Sequence, residues 1–401
     1  MNSTLFANKF RSARPVLNCC RRLPVIAALI LCSAKAWPAF KLQTDTLEKQ
    51  LNHIYKSSEE GYSCFRIPAI VSTGKGILLA FAEGRRNNCG DAGDIDLVVK
   101  SSGDGGKTWT GLRVVWDDSA NTCGNPAPVV DKKSGNILLL ATWNKGTDHE
   151  KDIIARTSKD TRRVFVLSSH DDGRSWSAPQ EITKRVKPGN WTWYATGPGS
   201  GMQITKGKHK GRLVVACDHI ETETNKYFSH VIYSDNRGRK WKLGGTTPQD
   251  RVNESTVAEL SDGKLMLNMR NFGPVRNRQV STSADGGSSW SALHADESLV
   301  EPICEGSLMR YNFPGKEQCL VFSNPASKES RSAMTVQVSY DDGKTWPSRK
   351  LLYKGPSAYS NVVVLPNGNI GCLYEAGYAK AYEGIVFEEV PVESLQNSRN
   401  Q

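Results

Sequence analysis

The sequence predicts an all-β chain that folds as a six-bladed β-propeller. Three observations support this prediction: an octapeptide that recurs along the chain, a strand-like run before its copies, and a repeat length near 60 residues. Short strands that recur at such a period are typical of propeller blades. The 365 residues that follow position 36 give room for six blades of that length.

The octapeptide has the pattern Ser-x-Asp-x-Gly-x-Thr/Ser-Trp. Its Asp can bond neighbouring backbone N–H groups, its Gly accepts a positive φ, and its Trp can pin the turn onto a sheet. Intact copies occupy residues 102–109, 169–176, 283–290 and 339–346, and a degenerate copy with Asn236 and Lys240 occupies 234–241. Successive Trp residues are 67, 65, 49 and 56 positions apart. We therefore predict that the copies are structural hairpin turns.

Strand-like runs precede the turns, for example at residues 96–100 and 164–167. Helical patterns are scarce, and we expect one helix, over residues 44–55, ahead of the first blade. No stretch rich in Pro, Gly or Ser marks a linker, so residues 37–401 are predicted to form a single domain.

The first 36 residues have the composition of a secretory signal. Four arginines precede an apolar run over residues 23–32, and Ala34-Lys35-Ala36 follows as a small-residue cleavage pattern. This order is typical of a signal peptide, although a buried strand or a short anchor has a similar composition. We expect an exported chain, secreted or periplasmic, or lysosomal if the host is eukaryotic.

Charge and hydropathy exclude several classes of function. The net charge is +11, but without residues 1–36 the chain has 46 basic and 41 acidic residues. No run of Lys and Arg is interleaved with aromatic residues, which argues against a nucleic-acid partner. No run approaches the ~20 apolar residues that span a bilayer, so no transmembrane segment is expected.

The cysteines and histidines predict no metal site. Seven cysteines follow the predicted signal, which allows disulfides and leaves at least one thiol unpaired. They form no CxxC pair, and the seven histidines form no HExxH motif. We expect neither a metal nor an organic cofactor.

The motif Phe65-Arg66-Ile67-Pro68, followed by the octapeptides, resembles the sialidase family. The resemblance covers about residues 60–390 and includes residues 80–85 and 197–201. It implies an exo-α-sialidase that removes terminal sialic acids from glycoproteins, glycolipids or oligosaccharides. It also implies retention of configuration through a covalent sialosyl-tyrosine intermediate.

A sialidase must bind the carboxylate of sialic acid, and guanidinium groups bind carboxylates through planar, charge-assisted hydrogen bonds. The resemblance assigns it to Arg66, Arg270 and Arg331, with Arg85 as an additional pocket arginine. Glu375 matches the carboxylate that orients the first arginine.

The resemblance also assigns the reacting groups. A carboxylate nucleophile would be repelled by the substrate's own carboxylate, whereas a tyrosine is neutral until it attacks. Tyr359 matches the family's nucleophile and Glu254 matches its base. Asp91 matches the proton donor, with Asp94 and Asp96 as its competitors.

Two features of the substrate pocket stay open. Asn125 falls near the position where some relatives carry a second pocket Asp, which leaves recognition of the N-acyl or glycerol group undecided. Three aromatic residues could flank the substrate or belong to the core: Trp191, Trp193 and Tyr194.

Two other functions are compatible with the same motifs. A trans-sialidase, intermolecular or intramolecular, would use the same residues with another acceptor. A non-catalytic propeller that binds sialylated glycans would be marked by loss of the Tyr, the Glu or the acidic Asp, and the sequence retains all three.

Overall fold

The computed structural model describes residues 49–397, and strands make up most of this part of the chain. The all-β prediction is confirmed. The predicted signal over residues 1–36 lies outside the described residues.

The strands follow one another through short connections. In chain order they are β1 (His53–Lys56), β2 (Cys64–Ser72), β3 (Leu78–Arg85), β4 (Ile95–Ser102), β5 (Arg113–Trp116), β6 (Thr122–Val130), β7 (Ile137–Asn144), β8 (Arg163–Ser169), β9 (Gln180–Glu181), β10 (Trp191–Thr196), β11 (Met202–Gln203), β12 (Leu213–Glu221), β13 (Tyr227–Ser234), β14 (Lys242–Thr246), β15 (Val252–Glu259), β16 (Leu265–Asn271), β17 (Asn277–Ser283), β18 (His294–Val300), β19 (Ser307–Tyr311), β20 (Cys319–Pro325), β21 (Ser332–Ser339), β22 (Ser348–Val364), β23 (Ile370–Ala376) and β24 (Gly384–Val390). The helices are short: α1 (Glu150–Ile154), α2 (Thr183–Val186), α3 (Val392–Asn397) and a 3₁₀ turn at Ala381–Glu383.

Four sheets contain these strands. The first has the order β2-β3-β4-β6-β7-β8-β9, and β5 also pairs with β4. The second has the order β10-β12-β13-β14, and β11 also pairs with β12. The third is β15-β16-β17-β18, and the fourth is β1-β24-β23-β22-β21-β20-β19. Nearly all pairs are antiparallel neighbours in sequence, so each sheet is a meander with local connections.

The prediction of a helix over residues 44–55 is wrong where the structure describes that range. Residues His53–Lys56 form β1, which pairs with β24 at the edge of the fourth sheet. Tyr55 is fully buried there, and its hydroxyl donates a 2.7 Å hydrogen bond to the Ala80 carbonyl. Burial of this ring and pairing of the backbone outweigh local helix propensity.

The core consists of apolar layers between neighbouring sheets and within them. Leu79, Leu97, Leu139 and Leu167 pack in one such layer and are almost fully buried. Strands such as β7 are buried along most of their length, because both faces are covered by neighbouring structure.

The octapeptides form tight turns, as predicted. In the second copy the Asp171 carboxylate accepts bonds from the Ser175 backbone N–H at 2.9 Å and hydroxyl at 2.6 Å, and from the Ser169 hydroxyl at 2.9 Å. The degenerate copy keeps two of these bonds, because Asn236 Oδ1 accepts from the Ser234 hydroxyl and the Lys240 N–H at 3.0 and 2.8 Å.

The turns lie at the strand ends away from the predicted arginine site. Strand β3 pairs with β4 so that Leu78 faces Ser102, where the first octapeptide begins, and Arg85 faces Ile95 at the other end. The octapeptides therefore stabilise one end of the sheets while the other end carries Arg85.

This arrangement predicts that Asp171→Ala lowers the melting temperature by about 2–4 °C, because the turn loses its hydrogen-bond acceptor. The double substitution Asn236→Asp/Lys240→Thr restores the full pattern in the degenerate copy and should not lower the melting temperature. Differential scanning calorimetry of both variants measures the effect. A melting temperature of Asp171→Ala equal to that of the wild type would contradict the structural role of the turns.

Candidate active site

One cavity of about 890 Å³ brings together residues that are far apart in sequence. Eight of the nine predicted site residues line it: Arg66, Arg85, Asp91, Asn125, Glu254, Arg270, Arg331 and Tyr359. The ninth, Glu375, is fully buried and binds Arg66 and the backbone of Tyr359. All nine therefore belong to one site.

Irregularities in the strands place these side chains at the cavity. Register shifts interrupt β2 between Arg66 and Ala69, β6 between Gly124 and Ala127, β10 between Trp191 and Tyr194, β15 between Val252 and Ser255, and β22 between Ser357 and Ser360. Ile67 and Asn125 adopt positive φ angles of 57° and 53° within two of these shifts. Such bulges redirect side chains and are frequent at functional sites.

Glu375 fixes the position of Arg66. Its carboxylate accepts bonds from Arg66 Nε at 3.1 Å and Nη2 at 3.3 Å, and from the Ile67 N–H at 2.9 Å. It also accepts a 3.2 Å bond from the Tyr359 N–H. One buried carboxylate thus connects β2 in the first sheet to β22 in the fourth.

Tyr359, Glu254 and Arg270 form a second network. The Tyr359 hydroxyl lies 2.6 and 2.8 Å from the two Glu254 carboxylate oxygens, and Arg270 Nη1 donates to Glu254 at 2.5 Å and to Tyr359 Oη at 3.0 Å. Arg66 and Arg331 stand over the Tyr359 ring, with guanidinium carbons 5.1 and 5.5 Å from its centroid.

These surroundings determine the charge of the phenol. Burial raises the pKa of Tyr359 well above its usual value and Glu254 raises it further, while Arg270, Arg331 and Arg66 oppose the shift. The phenol is therefore neutral in the free site and has a carboxylate within bonding distance to accept its proton.

Arg331 is held by groups of the cavity wall. Its Nη1 donates a 2.9 Å bond to the Tyr382 hydroxyl and its Nη2 a 3.1 Å bond to the Ile303 carbonyl. The Tyr382 ring also lies 4.2 Å from the Arg66 guanidinium carbon. Tyr382 therefore contacts both Arg66 and Arg331, two of the arginines predicted to bind the carboxylate. No motif in the sequence indicated this role.

Asp91 stands at the mouth of the cavity with its side chain 70% exposed. It accepts bonds from Arg85 Nη1 at 2.8 Å and Arg66 Nη1 at 3.4 Å. Desolvation by the surrounding cavity walls would on its own raise the pKa of the Asp91 carboxyl, but Arg85 and Arg66 outweigh this effect and the pKa lies below its usual value. The competitors Asp94 and Asp96 do not line the cavity, and both pair with Arg86, at 3.2 and 2.7 Å.

A disulfide anchors the loop that carries Asp91. Cys64, two residues before Arg66, is bonded to Cys89, two residues before Asp91, with a Cα–Cα distance of 5.3 Å. Among the described residues the other five cysteines are buried thiols: Cys123, Cys217, Cys304, Cys319 and Cys372. The bond limits how far the Asp91 loop can move from the Arg66 strand.

Glu83 connects Arg85 to Asn125. It accepts from Arg85 Nε at 3.0 Å and Nη2 at 2.6 Å, and from the Asn125 N–H at 2.7 Å. Asn125 Oδ1 in turn accepts from Arg162 and, at 3.1 Å, from the Thr142 hydroxyl. Residues 80–85 belong to the stretch that resembles the family, but no role was predicted for Glu83.

The three aromatic residues before the Gly-rich stretch divide between core and site. Trp193 lines the cavity, and the Arg162 guanidinium carbon lies 4.1 Å from its ring centroid. Trp191 and Tyr194 are buried and pack in a core layer instead. Successive strand residues face opposite sides, which accounts for the difference between Trp193 and Tyr194.

Besides Glu83 and Lys151, three charged residues of the cavity wall were missed. Arg162, Glu150 and Asp218 lie on it, beyond Asn125 and Trp193. None belongs to a motif that the sequence analysis used, and an isolated charged residue carries no signal of its own in one sequence.

Residues 49–397 were predicted to contain neither a metal site nor a membrane span. No group of three or more His, Cys, Asp or Glu residues there could hold a metal ion. Within the same range, no helix is both long enough and apolar enough to cross a bilayer.

Comparisons with known proteins agree with the motifs. Residues 76–372 match the family model described as a BNR repeat-like domain. A sialidase of Micromonospora viridifaciens is 32% identical over 339 residues, which cover 81% of this chain and 52% of the relative. An exo-alpha-sialidase of Aspergillus fumigatus is 32% identical over 372 residues, which cover 85% of this chain and 87% of the relative.

Solved structures lead to the same family. The Hadza microbial sialidase Hz136 superposes with a TM-score of 0.78 at 30% identity, over 86% of this chain and 69% of that chain. A leech intramolecular trans-sialidase superposes with a TM-score of 0.72 at 18% identity, over 88% of this chain and 71% of that chain, and shows the fold alone. This chain spans only about half the length of the Micromonospora relative. By sequence and by structure, the chain belongs to the sialidase family.

Proposed function

We propose that the chain is an exo-α-sialidase, which hydrolyses the bond between a terminal sialic acid and the rest of a glycan. One observation carries the proposal: three arginines surround a neutral tyrosine that is hydrogen-bonded to a carboxylate, with an aspartate at the cavity mouth. The substrates would be sialylated glycans on glycoproteins, gangliosides or oligosaccharides. The named activity of the relatives supports this choice.

The arginines would bind the substrate carboxylate. Arg66 lies on β2, Arg270 on β16 and Arg331 just before β21, and a guanidinium forms planar, charge-assisted bonds with a carboxylate. Glu375 pairs with Arg66 and Glu254 with Arg270, whereas the bonds of Arg331 within the described residues go to a hydroxyl and a carbonyl, which leaves its charge for the substrate.

Tyr359 would then attack the anomeric carbon. As its oxygen forms a bond to that carbon, the phenolic proton passes to Glu254 and the bond to the leaving oxygen breaks. The covalent sialosyl-tyrosine is hydrolysed in a second step by water, and two displacements retain the configuration. Water attacks the anomeric carbon and loses a proton to Asp91, while the bond between that carbon and the tyrosine oxygen breaks. The tyrosine oxygen recovers its proton from Glu254.

Asp91 would protonate the leaving oxygen in the first step, although its pKa is low in the free site. The neighbouring arginines lower the pKa of Asp91. A bound substrate carboxylate would partly neutralise these arginines and should therefore raise the pKa of Asp91. Substrate binding would thus help to prepare the acid. Asp91 is exposed at the cavity mouth, where the rest of the glycan would leave, and this position is suitable for the residue that protonates the leaving oxygen.

We further propose that the four sheets are six blades of one propeller. The first sheet divides at the single parallel bridge between Ile95 and Thr122, where β4 meets β6. The fourth divides within β22, a strand of 17 residues that pairs with β21 up to Pro356 and with β23 from Ser357. Two blades from each of these sheets and one from each other sheet make six. Strand β1 would close the ring by completing the last blade.

Residues 1–36 are proposed to export the chain, as the sequence analysis predicts. Intermolecular and intramolecular transfer would use the same groups with a different acceptor in the second step. The identity of the first product, free α-sialic acid or a transfer product, separates these reactions.

Tyr359→Phe removes one oxygen and should lower kcat on a fluorogenic α-sialoside by at least about 10³-fold, because no group remains to form the covalent intermediate. The arginines remain, so a dehydrated sialic acid analogue should bind with a similar Kd. In the wild type, a fluorinated sialosyl donor should leave an adduct on the peptide that contains Tyr359. Mass spectrometry of the digested protein detects this adduct.

The matched control is Tyr311→Phe. Tyr311 is a buried tyrosine outside the cavity, and its hydroxyl donates to the Gly368 carbonyl at 2.7 Å. This variant loses the same atom and should keep full turnover. Near-normal turnover of Tyr359→Phe, or an adduct on another residue, would remove Tyr359 from the nucleophile role.

Asp91→Ala should slow hydrolysis of sialyllactose far more than that of a sialoside with an acidic phenol as leaving group, since a good leaving group needs little protonation. In the wild type, kcat/KM should fall with rising pH at a lower pH than kcat does, because bound substrate raises the pKa of Asp91. Steady-state pH profiles measure both. Asp94→Ala is the control and should show neither effect; equal losses of Asp91→Ala on the two substrates would exclude it as the acid.

A further inference from the structure

Three segments at strand ends away from the cavity carry a dense positive charge. They are residues 131–136, 205–212 and 234–242, which together contain ten basic and two acidic residues. Residues 49–397 as a whole contain 44 basic and 39 acidic residues. The excess of basic residues in the three segments is therefore larger than the excess in the whole described chain, and we call the surface that they form the basic face.

Hydrogen bonds show that the three segments are contiguous. Gln203 Nε2 donates to Asp131 Oδ1 at 2.9 Å and to the Gly211 carbonyl at 3.0 Å, which joins the first segment to the second. Arg212 Nε donates to Asp235 Oδ1 at 2.8 Å, which joins the second segment to the third. The cations of all three segments therefore belong to one surface.

The basic face lies at the other end of its strands from the cavity. Tyr227, at the start of β13, lines the cavity, whereas Ser234, at the end of the same strand, begins the third segment. None of the three segments, all of them within the described chain, contributes a residue to the cavity lining. A ligand on the basic face would therefore leave the proposed sialidase site open.

Most cations of the basic face have no acidic partner. The two acidic residues of the segments are already engaged, because Asp131 is buried and Asp235 pairs with Arg212 and, at 3.6 Å, with Lys242. The other eight cations are exposed and form no ion pair within residues 49–397: Lys132, Lys133, Lys206, Lys208, Lys210, Arg237, Arg239 and Lys240. Like charges held close together repel one another, so a bound polyanion would stabilise this surface.

The degenerate octapeptide provides independent support for a ligand. The four intact octapeptides have net charges of zero or −1, whereas residues 234–241 have a net charge of +2. Asn236 Oδ1 nevertheless accepts turn bonds from the Ser234 hydroxyl and the Lys240 N–H, at 3.0 and 2.8 Å. The turn forms in the intact copies without this positive charge, so the geometry of the turn does not account for it.

The side chains of the basic face favour one class of polyanion. None of the large apolar side chains that are exposed in the described chain lies in the three segments, so the face has no apolar anchor for a membrane. Trp241 is the only Trp, Tyr or Phe in these segments, and it is buried. Nucleic-acid bases would therefore find no exposed aromatic ring on which to stack.

We propose that the basic face binds a linear polysaccharide that carries several sulfate groups per repeat unit. Sulfate groups are ionised at neutral pH, and Lys and Arg bind such oxyanions through charge-assisted hydrogen bonds. A polymer with a single carboxylate per repeat unit would neutralise fewer of the eight exposed cations. The proposal goes beyond the sialidase activity and does not depend on it.

The test uses heparin, a sulfated polysaccharide, and compares two double variants of equal net charge. Lys210→Glu/Arg239→Glu reverses two cations of the basic face. Lys107→Glu/Lys344→Glu is the control and reverses two exposed lysines at the position of intact octapeptides that Arg239 has in the degenerate copy. At physiological ionic strength the first variant should raise the Kd for heparin at least about tenfold, and the control should raise it less than about twofold.

Salt dependence and activity are measured on the same proteins. Binding to a polyanion releases its condensed counterions, so the plot of log Kd against log salt concentration should be less steep for Lys210→Glu/Arg239→Glu than for the wild type. Both variants change exposed side chains outside the cavity and should keep the wild-type melting temperature. They should also keep the wild-type kcat/KM on a small fluorogenic sialoside, so a loss of heparin binding is measured separately from sialidase activity.

Two kinds of result would overturn the proposal. Equal losses of heparin affinity in the two variants would mean that net charge alone determines binding, and an unchanged Kd in Lys210→Glu/Arg239→Glu would exclude the basic face as the site. Single-stranded DNA and vesicles of anionic lipid are the competing probes at the same salt concentration. Tighter binding of either probe than of heparin would assign the face to a nucleic acid or to a membrane instead.

Discussion

The bonds made by the buried Glu375 carboxylate are the interaction on which the site depends. Glu375 binds the Arg66 guanidinium, the Ile67 N–H and the Tyr359 N–H, and so joins the first sheet to the last. Removing one partner of a fully buried ion pair typically costs about 3–5 kcal/mol, because the other charge is left without compensation. The contact therefore ties the stability of the fold to the position of an arginine and of the tyrosine.

The same principle recurs around the cavity. Glu83 holds Arg85 and the Asn125 backbone, and Glu254 holds Arg270 and the Tyr359 hydroxyl. Each carboxylate keeps an arginine in a fixed geometry before any substrate arrives. Such preorganisation strengthens electrostatic binding, since the charges need not reorient when the substrate enters.

The all-β class and the octapeptide turns could be predicted from local patterns in the sequence, and the residues that share the cavity from the family resemblance. The octapeptide carries its own hydrogen bonds, and Arg66 lies in a recognisable motif. Tyr55 was assigned to a helix because the strand that pairs with β1 lies more than 300 residues later, at β24. Arg162 and Asp218 were missed for a related reason. Their chemistry arises only where distant strands meet, and neither residue has a local pattern.

The cavity also shows why partnered and unpartnered carboxyls must be interpreted differently. Glu375 has all its bonds within the protein and is explained by them. Asp218 is equally buried but has none, so its cost to stability is not offset by any contact of the described protein. Departures from full internal consistency are most frequent at functional sites of proteins. The contrast between Glu375 and Asp218, and not their burial, separates a carboxyl whose position the described chain explains from one whose position it does not.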